Sequence, residues 1–83
     1  MSIFPNPVKD KMIVRFAENV GGKYQLRLVN AQGQTCYSTT FKGNGAAAPK
    51  TFNLPEYVGS GNYIVQLLVN RNITMSEKVV VVR

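Results

Sequence analysis

Hydrophobic and polar positions alternate with period two along most of the chain. Met12, Val14 and Phe16 alternate with Ile13 and Arg15, and Tyr24, Leu26 and Leu28 alternate with Gln25 and Arg27. Phe52 and Leu54 flank Asn53, while Tyr63, Val65, Leu67 and Val69 recur two apart. Ile73, Met75, Val79 and Val81 share one parity. In an extended chain successive side chains point to opposite faces, so each run reads as a strand with one buried face. The Val, Ile, Thr, Tyr and Phe content of the runs suits a pleated, half-buried surface. No window carries the i, i+3, i+4, i+7 stripe of an amphipathic helix. The pattern predicts strands over 11–17, 23–30, 34–42, 50–54, 62–70 and 73–82, with residues 2–4 a candidate seventh.

Turn residues divide these runs. Pro5-Asn6-Pro7 opens the chain, and Gly21-Gly22 separates the first two long strands. Asn30-Ala31-Gln32-Gly33 joins two strands that should pair as a hairpin. Gly43-Asn44-Gly45 starts a small-residue loop, Pro55 to Gly61 forms a connection, and Asn70-Arg71-Asn72 is a tight turn. Short strands at this spacing, with no helices between them, imply an all-β, Ig-like antiparallel sandwich of six to seven strands; an open barrel is the alternative. Leu54-Pro55 followed by Gly61-Asn62-Tyr63 resembles the tyrosine corner of such sandwiches, in which a Tyr near a strand start bonds back across the connection. The plainer reading makes Tyr63 a large core residue.

Composition then narrows the function. With 83 residues the chain forms one domain, 1–83, with little room for a deep catalytic cleft. It has no histidine and a single cysteine, Cys36, which removes the commonest general base and any disulfide or cysteine-zinc framework within the chain. Cys36 reads as a half-buried strand residue. Asp10, Glu18, Glu56 and Glu77 are scattered, and Gly59-Ser60-Gly61 lacks the helix and base that a nucleophile elbow needs. Asn72-Ile73-Thr74 matches a glycosylation acceptor, but its turn position explains the Asn without sugar. No catalytic, cofactor or metal site is expected.

The net charge of +6 invites a nucleic-acid reading. However, Lys9, Lys11, Arg15, Lys23 and Arg27 fall on the parity opposite the buried residues of their strands. They read as a solvated outer face that discourages edge pairing, with attraction to an anionic surface such as a lipopolysaccharide-rich membrane as the second reading. No nucleic acid is expected as a partner. Val79-Val80-Val81-Val82 puts two valines on each face, with Val79 and Val81 inward and in register with Ile73 and Met75. Val80 and Val82, with Ile64 and Leu68 on the neighbouring strand, then form an outward apolar patch suited to a partner or a cover. Glu77 falls on the inward parity, so a bulge or a strand end is expected there. Lys78 and Arg83 bracket the valines as charged gatekeepers. The run also leaves room for a strand-mediated dimer.

In order and spacing these segments resemble the type A C-terminal sorting domain of the type IX (Por) secretion system. Phe4-Pro5-Asn6-Pro7-Val8 looks like that family's opening, and Leu28 to Gly33, followed by Tyr37, like its central strand and turn. Asn53-Leu54-Pro55 and Gly61-Asn62-Tyr63-Ile64-Val65 look like its Leu-to-Gly-x-Tyr stretch. Glu77-Lys78-Val79-Val80-Val81-Val82-Arg83 looks like its ending. Cys36 and the Gly43–Ala48 loop depart from the pattern. The resemblance implies a non-catalytic signal that folds in the periplasm behind an N-terminal cargo domain. An outer-membrane translocon would recognise it there, and a sortase-like peptidase would commonly remove it, leaving the cargo at the cell surface or released. By carry-over the recognition residues would be Gly61, Tyr63, Lys78, Val79, Val80, Val81, Val82 and Arg83, with Pro5, Asn6, Pro7, Asn30, Gly33, Leu54 and Pro55 as structural motif residues. An export signal and the cargo are then expected ahead of Ser2. The alternative function is an accessory carbohydrate- or ligand-binding sandwich, for which Tyr37, Phe41 and Tyr57 are the candidate aromatics.

Overall fold

A computed structural model describes residues 2–15, 21–44, 49–69 and 71–83. The described strands are β1 (Ser2–Phe4), β2 (Lys11–Arg15), β3 (Gly21–Asn30), β4 (Thr35–Asn44), β5 (Lys50–Asn53), β6 (Gly61–Val69) and β7 (Asn72–Val81). They form two packed sheets, ordered β1-β2-β5 and β4-β3-β6-β7, and all the strand pairs are antiparallel. The expected sandwich is therefore present, and residues 2–4 do supply a seventh strand. The expected inward position of Phe16, the carboxylate of Glu18, the end of the 62–70 run at Asn70 and the alanines of the Gly43–Ala48 loop lie outside the described residues.

The alternation fixes the core. Met12 and Val14 of β2 and Phe52 of β5 pack against Tyr24, Leu26 and Leu28 of β3, Val65 and Leu67 of β6, and Val79 and Val81 of β7. Phe41 of β4 stacks on Tyr24 and meets Phe52 edge-on, each with ring centroids 5.5 Å apart, so aromatic contacts bridge the two sheets. Loops contribute Val8, Leu54 and Val58, all buried.

The β3–β4 hairpin closes as expected, and its chemistry is local. Gly33 has φ 83°, a left-handed position that glycine occupies without a Cβ clash. Its N–H donates to the Asn30 carbonyl at 3.0 Å. The Asn30 side-chain oxygen accepts from the Gln32 and Gln34 amides at 3.0 and 2.9 Å.

Two register shifts change the faces that simple alternation assigns. One falls at Leu28/Val29, where Leu28 pairs with Tyr37 but Val29 with Thr35, leaving Cys36 as the extra residue. The other falls at Leu67/Leu68, where Leu67 pairs with Met75 but Leu68 with Ile73, leaving Thr74 as the extra residue. The Thr74 hydroxyl donates to the Leu67 carbonyl at 3.0 Å. The expectation that Ile73 faces inward with Met75 is thereby overturned: the bulge turns Ile73 out, and it is 53% exposed. Glu77 lies outside that bulge. It keeps the inward parity opposite Val65, and its place on the edge strand β7 leaves it exposed. Leu68 and Val29 point to the outer face but are buried, because both lie on the sheet's central strands β6 and β3.

Candidate functional site

The sheet brings the recognition candidates from two distant stretches together. In the β6–β7 ladder Gly61 pairs with Val81, Tyr63 with Val79 and Ile64 with Lys78. Inward-facing Val79 and Val81 belong to the core, whereas Val80 and Val82 are exposed, as the alternation predicts. Ile64 is also exposed, so the outward apolar patch is present at Ile64 and Val80.

The end of β7 is not an open edge. Val8 forms a parallel bridge with Val81: its N–H donates to the Val80 carbonyl, and its carbonyl accepts from the Val82 N–H, both at 2.8 Å. The Pro5-Asn6-Pro7 segment thus leads into a residue that covers the C-terminal edge. Phe4–Pro5 and Asn6–Pro7 are both cis. Strand addition is left to the part of the β7 edge preceding Val80, where no strand of the described residues pairs.

Arg83 has an unexpected role. Far from being a solvated gatekeeper, its guanidinium reaches into the Pro55–Gly61 connection. It donates to the Val58 carbonyl at 2.7 Å and to the Pro55 carbonyl at 2.5 Å, with longer contacts of 3.4 Å to the Leu54 carbonyl and Asp10 Oδ1. Its backbone N–H donates to Ser60 Oγ at 2.8 Å, and that hydroxyl donates to the Arg83 carbonyl at 3.3 Å. Ser60 is therefore a structural turn residue. The Tyr63 hydroxyl donates to the Gly59 carbonyl at 2.7 Å, the bond of a tyrosine corner, and its half-buried ring packs against the core. Leu54 is anchored by its N–H to the Asp10 carbonyl at 2.9 Å. The connection is thus tied down by Tyr63 at one end, Arg83 along its length and the buried Val58 beneath. Sequence reading gives Ser60 as a turn residue without its bonds to Arg83 and misses Val8 and Val58 in these roles, since lone residues in loops carry no periodic signal.

Beside this unit a groove of about 800 Å³ crosses the outer face of the four-stranded sheet. Val29, Ile64 and Val80 line it, with Arg27 and Lys78 among its polar residues. Lys9, Lys11, Arg15 and Lys23 are exposed as expected, but Arg27 is half-buried. Its Nη2 donates to Gln66 Oε1 at 3.1 Å, while its Nε is buried without a partner. Elsewhere Arg15 lies over the Phe4 ring at 5.8 Å and Lys50 Nζ over Phe41 at 5.1 Å.

The aromatics that a carbohydrate platform would use do not gather. Phe41 is engaged with Tyr24 and Phe52, Tyr37 packs against the core, and Tyr57 is 73% exposed in the connection. Among the described residues no three His, Cys, Asp or Glu side chains cluster as metal ligands.

No curated protein and no solved structure matches the chain. The model of one family does match it, over residues 2–82, and that family is described as the secretion system C-terminal sorting domain. The opening Pro-Asn-Pro segment, the stapled hairpin, the tyrosine corner and the valine-rich last strand all fall within the matched span, and the chain belongs to the secretion system C-terminal sorting domain family.

Proposed function

We propose that the joined ends of β6 and β7, Gly61 and Tyr63 with Lys78 through Arg83, are the surface that the type IX outer-membrane translocon and a sortase-like peptidase read, and that they read it folded. As a type IX sorting domain the chain directs secretion and is not an enzyme. Its partners are a cargo protein and the type IX machinery, and the cargo is destined for the outside of the cell or its surface. In the finer reading, residues 1–83 form one sorting unit behind an N-terminal cargo. The unit folds in the periplasm, passes the translocon and is then removed.

The observation that carries this reading is the register. Gly61 to Ile64 and Lys78 to Val81 are paired residue by residue, so two separate sequence stretches become one continuous surface. Within it Lys78 and Val80 are exposed, point away from the core and are not members of its buried cluster. The test fuses residues 2–83 to a reporter bearing an export signal, in a host with this secretion system. The wild-type fusion should reach the cell surface. Lys78→Glu and Val80→Asp should each hold it in the periplasm while circular dichroism and thermal unfolding remain those of wild type. Export by both variants at the wild-type level would overturn the assignment.

A further inference from the structure

We infer that the groove on the outer face of the β4-β3-β6-β7 sheet binds an extended partner segment that carries a carboxylate between aliphatic side chains. The inference deepens the proposed docking surface, on which it rests, by naming the chemistry of the partner. Lys78 and Val80 belong to both.

Three observations specify the occupant. The floor holds aliphatic side chains at Val29, Ile64 and Val80, two of them exposed, which suits aliphatic side chains on a ligand. Among the groove's lining residues are Arg27 and Lys78 but no Asp or Glu, so the lining is complementary to an anion. Third, Arg27 is half-buried with one hydrogen bond, from Nη2 to Gln66, so most of its guanidinium donors are left for a carboxylate, which meets such donors through charge-assisted bonds.

The register sets the spacing. Arg27 pairs with Gln66 on β6, and Ile64 pairs with Lys78 on β7, so the two cations are two strands apart and offset by two residues along the sheet, roughly 12 Å between their backbones. Ile64 lies between them. One carboxylate directed at Arg27, with an aliphatic neighbour over Ile64, fits this order.

A narrow segment fits better than a lipid surface. Arg27 is recessed, and a planar bilayer meets protruding side chains before recessed ones. Asn62 also lines the groove and offers an amide group that can bond a peptide backbone.

The experiment titrates the isotope-labelled 83-residue protein with the acetylated, amidated peptide Val-Thr-Asp-Val-Thr and follows amide and Arg Nε–H resonances. Shifts should be confined to Val29, Ile64, Gln66, Lys78 and the Arg27 Nε–H. The Val-Thr-Asn-Val-Thr peptide should bind about tenfold more weakly, the loss expected for one charge-assisted bond. Arg27→Gln should abolish the shifts. Because Arg27 also holds Gln66, the exposed Lys78→Gln is the second variant, and it should weaken binding about threefold in a normally folded protein. Equal binding of the two peptides, shifts spread over Lys9, Lys11 and Lys23, or groove shifts produced only by phosphatidylglycerol vesicles would each overturn the inference, the last in favour of a membrane. The reporter fusion separates this from the sorting surface. Absence of peptide binding with normal, Lys78-dependent export refutes the groove alone; peptide binding with export indifferent to Lys78 and Val80 refutes the sorting surface alone.

Discussion

Replacing Arg83 by alanine should destabilise the domain by about 2 kcal/mol. The side chain is only 18% exposed although it ends the chain, so its charge is largely committed to the connection it holds. Two of its bonds are short, to the Val58 and Pro55 carbonyls, and two are 3.4 Å long. Hydrogen bonds to a charged group contribute roughly 1.5–3 kcal/mol each when made well. The freed carbonyls lie in a surface connection and regain water, which brings the expected loss below the lower end of the two-bond sum, to about 2 kcal/mol. Asp10 adds little, because its side chain is 83% exposed and screened. Asp10→Asn should therefore stay within about 0.5 kcal/mol of wild type. Arg83→Lys retains the charge but replaces a planar fork of donors with a point, and should recover less than half of the loss. A chain of this size holds roughly 4–12 kcal/mol in total. Urea unfolding, with a slope of about 1 kcal/mol per molar, should show the Arg83→Ala midpoint about 2 M lower. A midpoint within about 0.5 M of wild type would show that the terminal guanidinium is solvated and would refute the clamp.

Tyr63→Phe removes one 2.7 Å bond to Gly59 and leaves the ring, so it should cost about 1 kcal/mol by the same assay; no change would remove the corner from the account. Arg71 has φ 68° in the β6–β7 turn, so Arg71→Gly should stabilise the domain by about 0.5–1 kcal/mol and raise the unfolding midpoint by about 2–8 °C, and a fall in that midpoint would contradict the left-handed turn.

Much of this fold is legible because strand alternation is uninterrupted in β2, β3 and β6. Met12, Val14, Tyr24, Leu26, Leu28, Val65 and Leu67 all point where period two puts them. The hairpin and the corner are legible because Asn30, Gly33 and Tyr63 act on residues a few positions away. Ile73 is misread because period two assumes a constant register, and one extra residue at Thr74 reverses every face on its far side. Leu68 and Val29 are outward as read, but burial on an outer face depends on which strands are central, and that order is a property of the sheet. Arg83 is the least legible residue. Its partners lie 25 to 29 positions upstream in the chain, and they are carbonyls, which every residue has.

The placement of Arg83, Val79 and Val81 also changes how the signal must be tested. Deleting Lys78–Arg83 is the obvious way to ask whether these residues are the address. It would remove two core valines, the β7 side of the Val8 bridge and the clamp on the Pro55–Gly61 connection in one step. Losing the two buried valines alone should cost several kcal/mol, roughly 1.5–3 for each, a large part of the domain's stability. Such a deletion strips a large part of the domain's stability whether or not the tail is recognised, so lost export would follow from either cause. The two roles divide by face. Inward residues of β7 and Arg83 carry the fold, whereas Lys78, Val80 and Val82 are exposed. A translocon that recognises the folded terminus must therefore respond to substitutions at Lys78 and Val80 that leave the unfolding curve unmoved. One that only requires a folded passenger must respond to Arg83→Ala in proportion to its lost stability and ignore the other two.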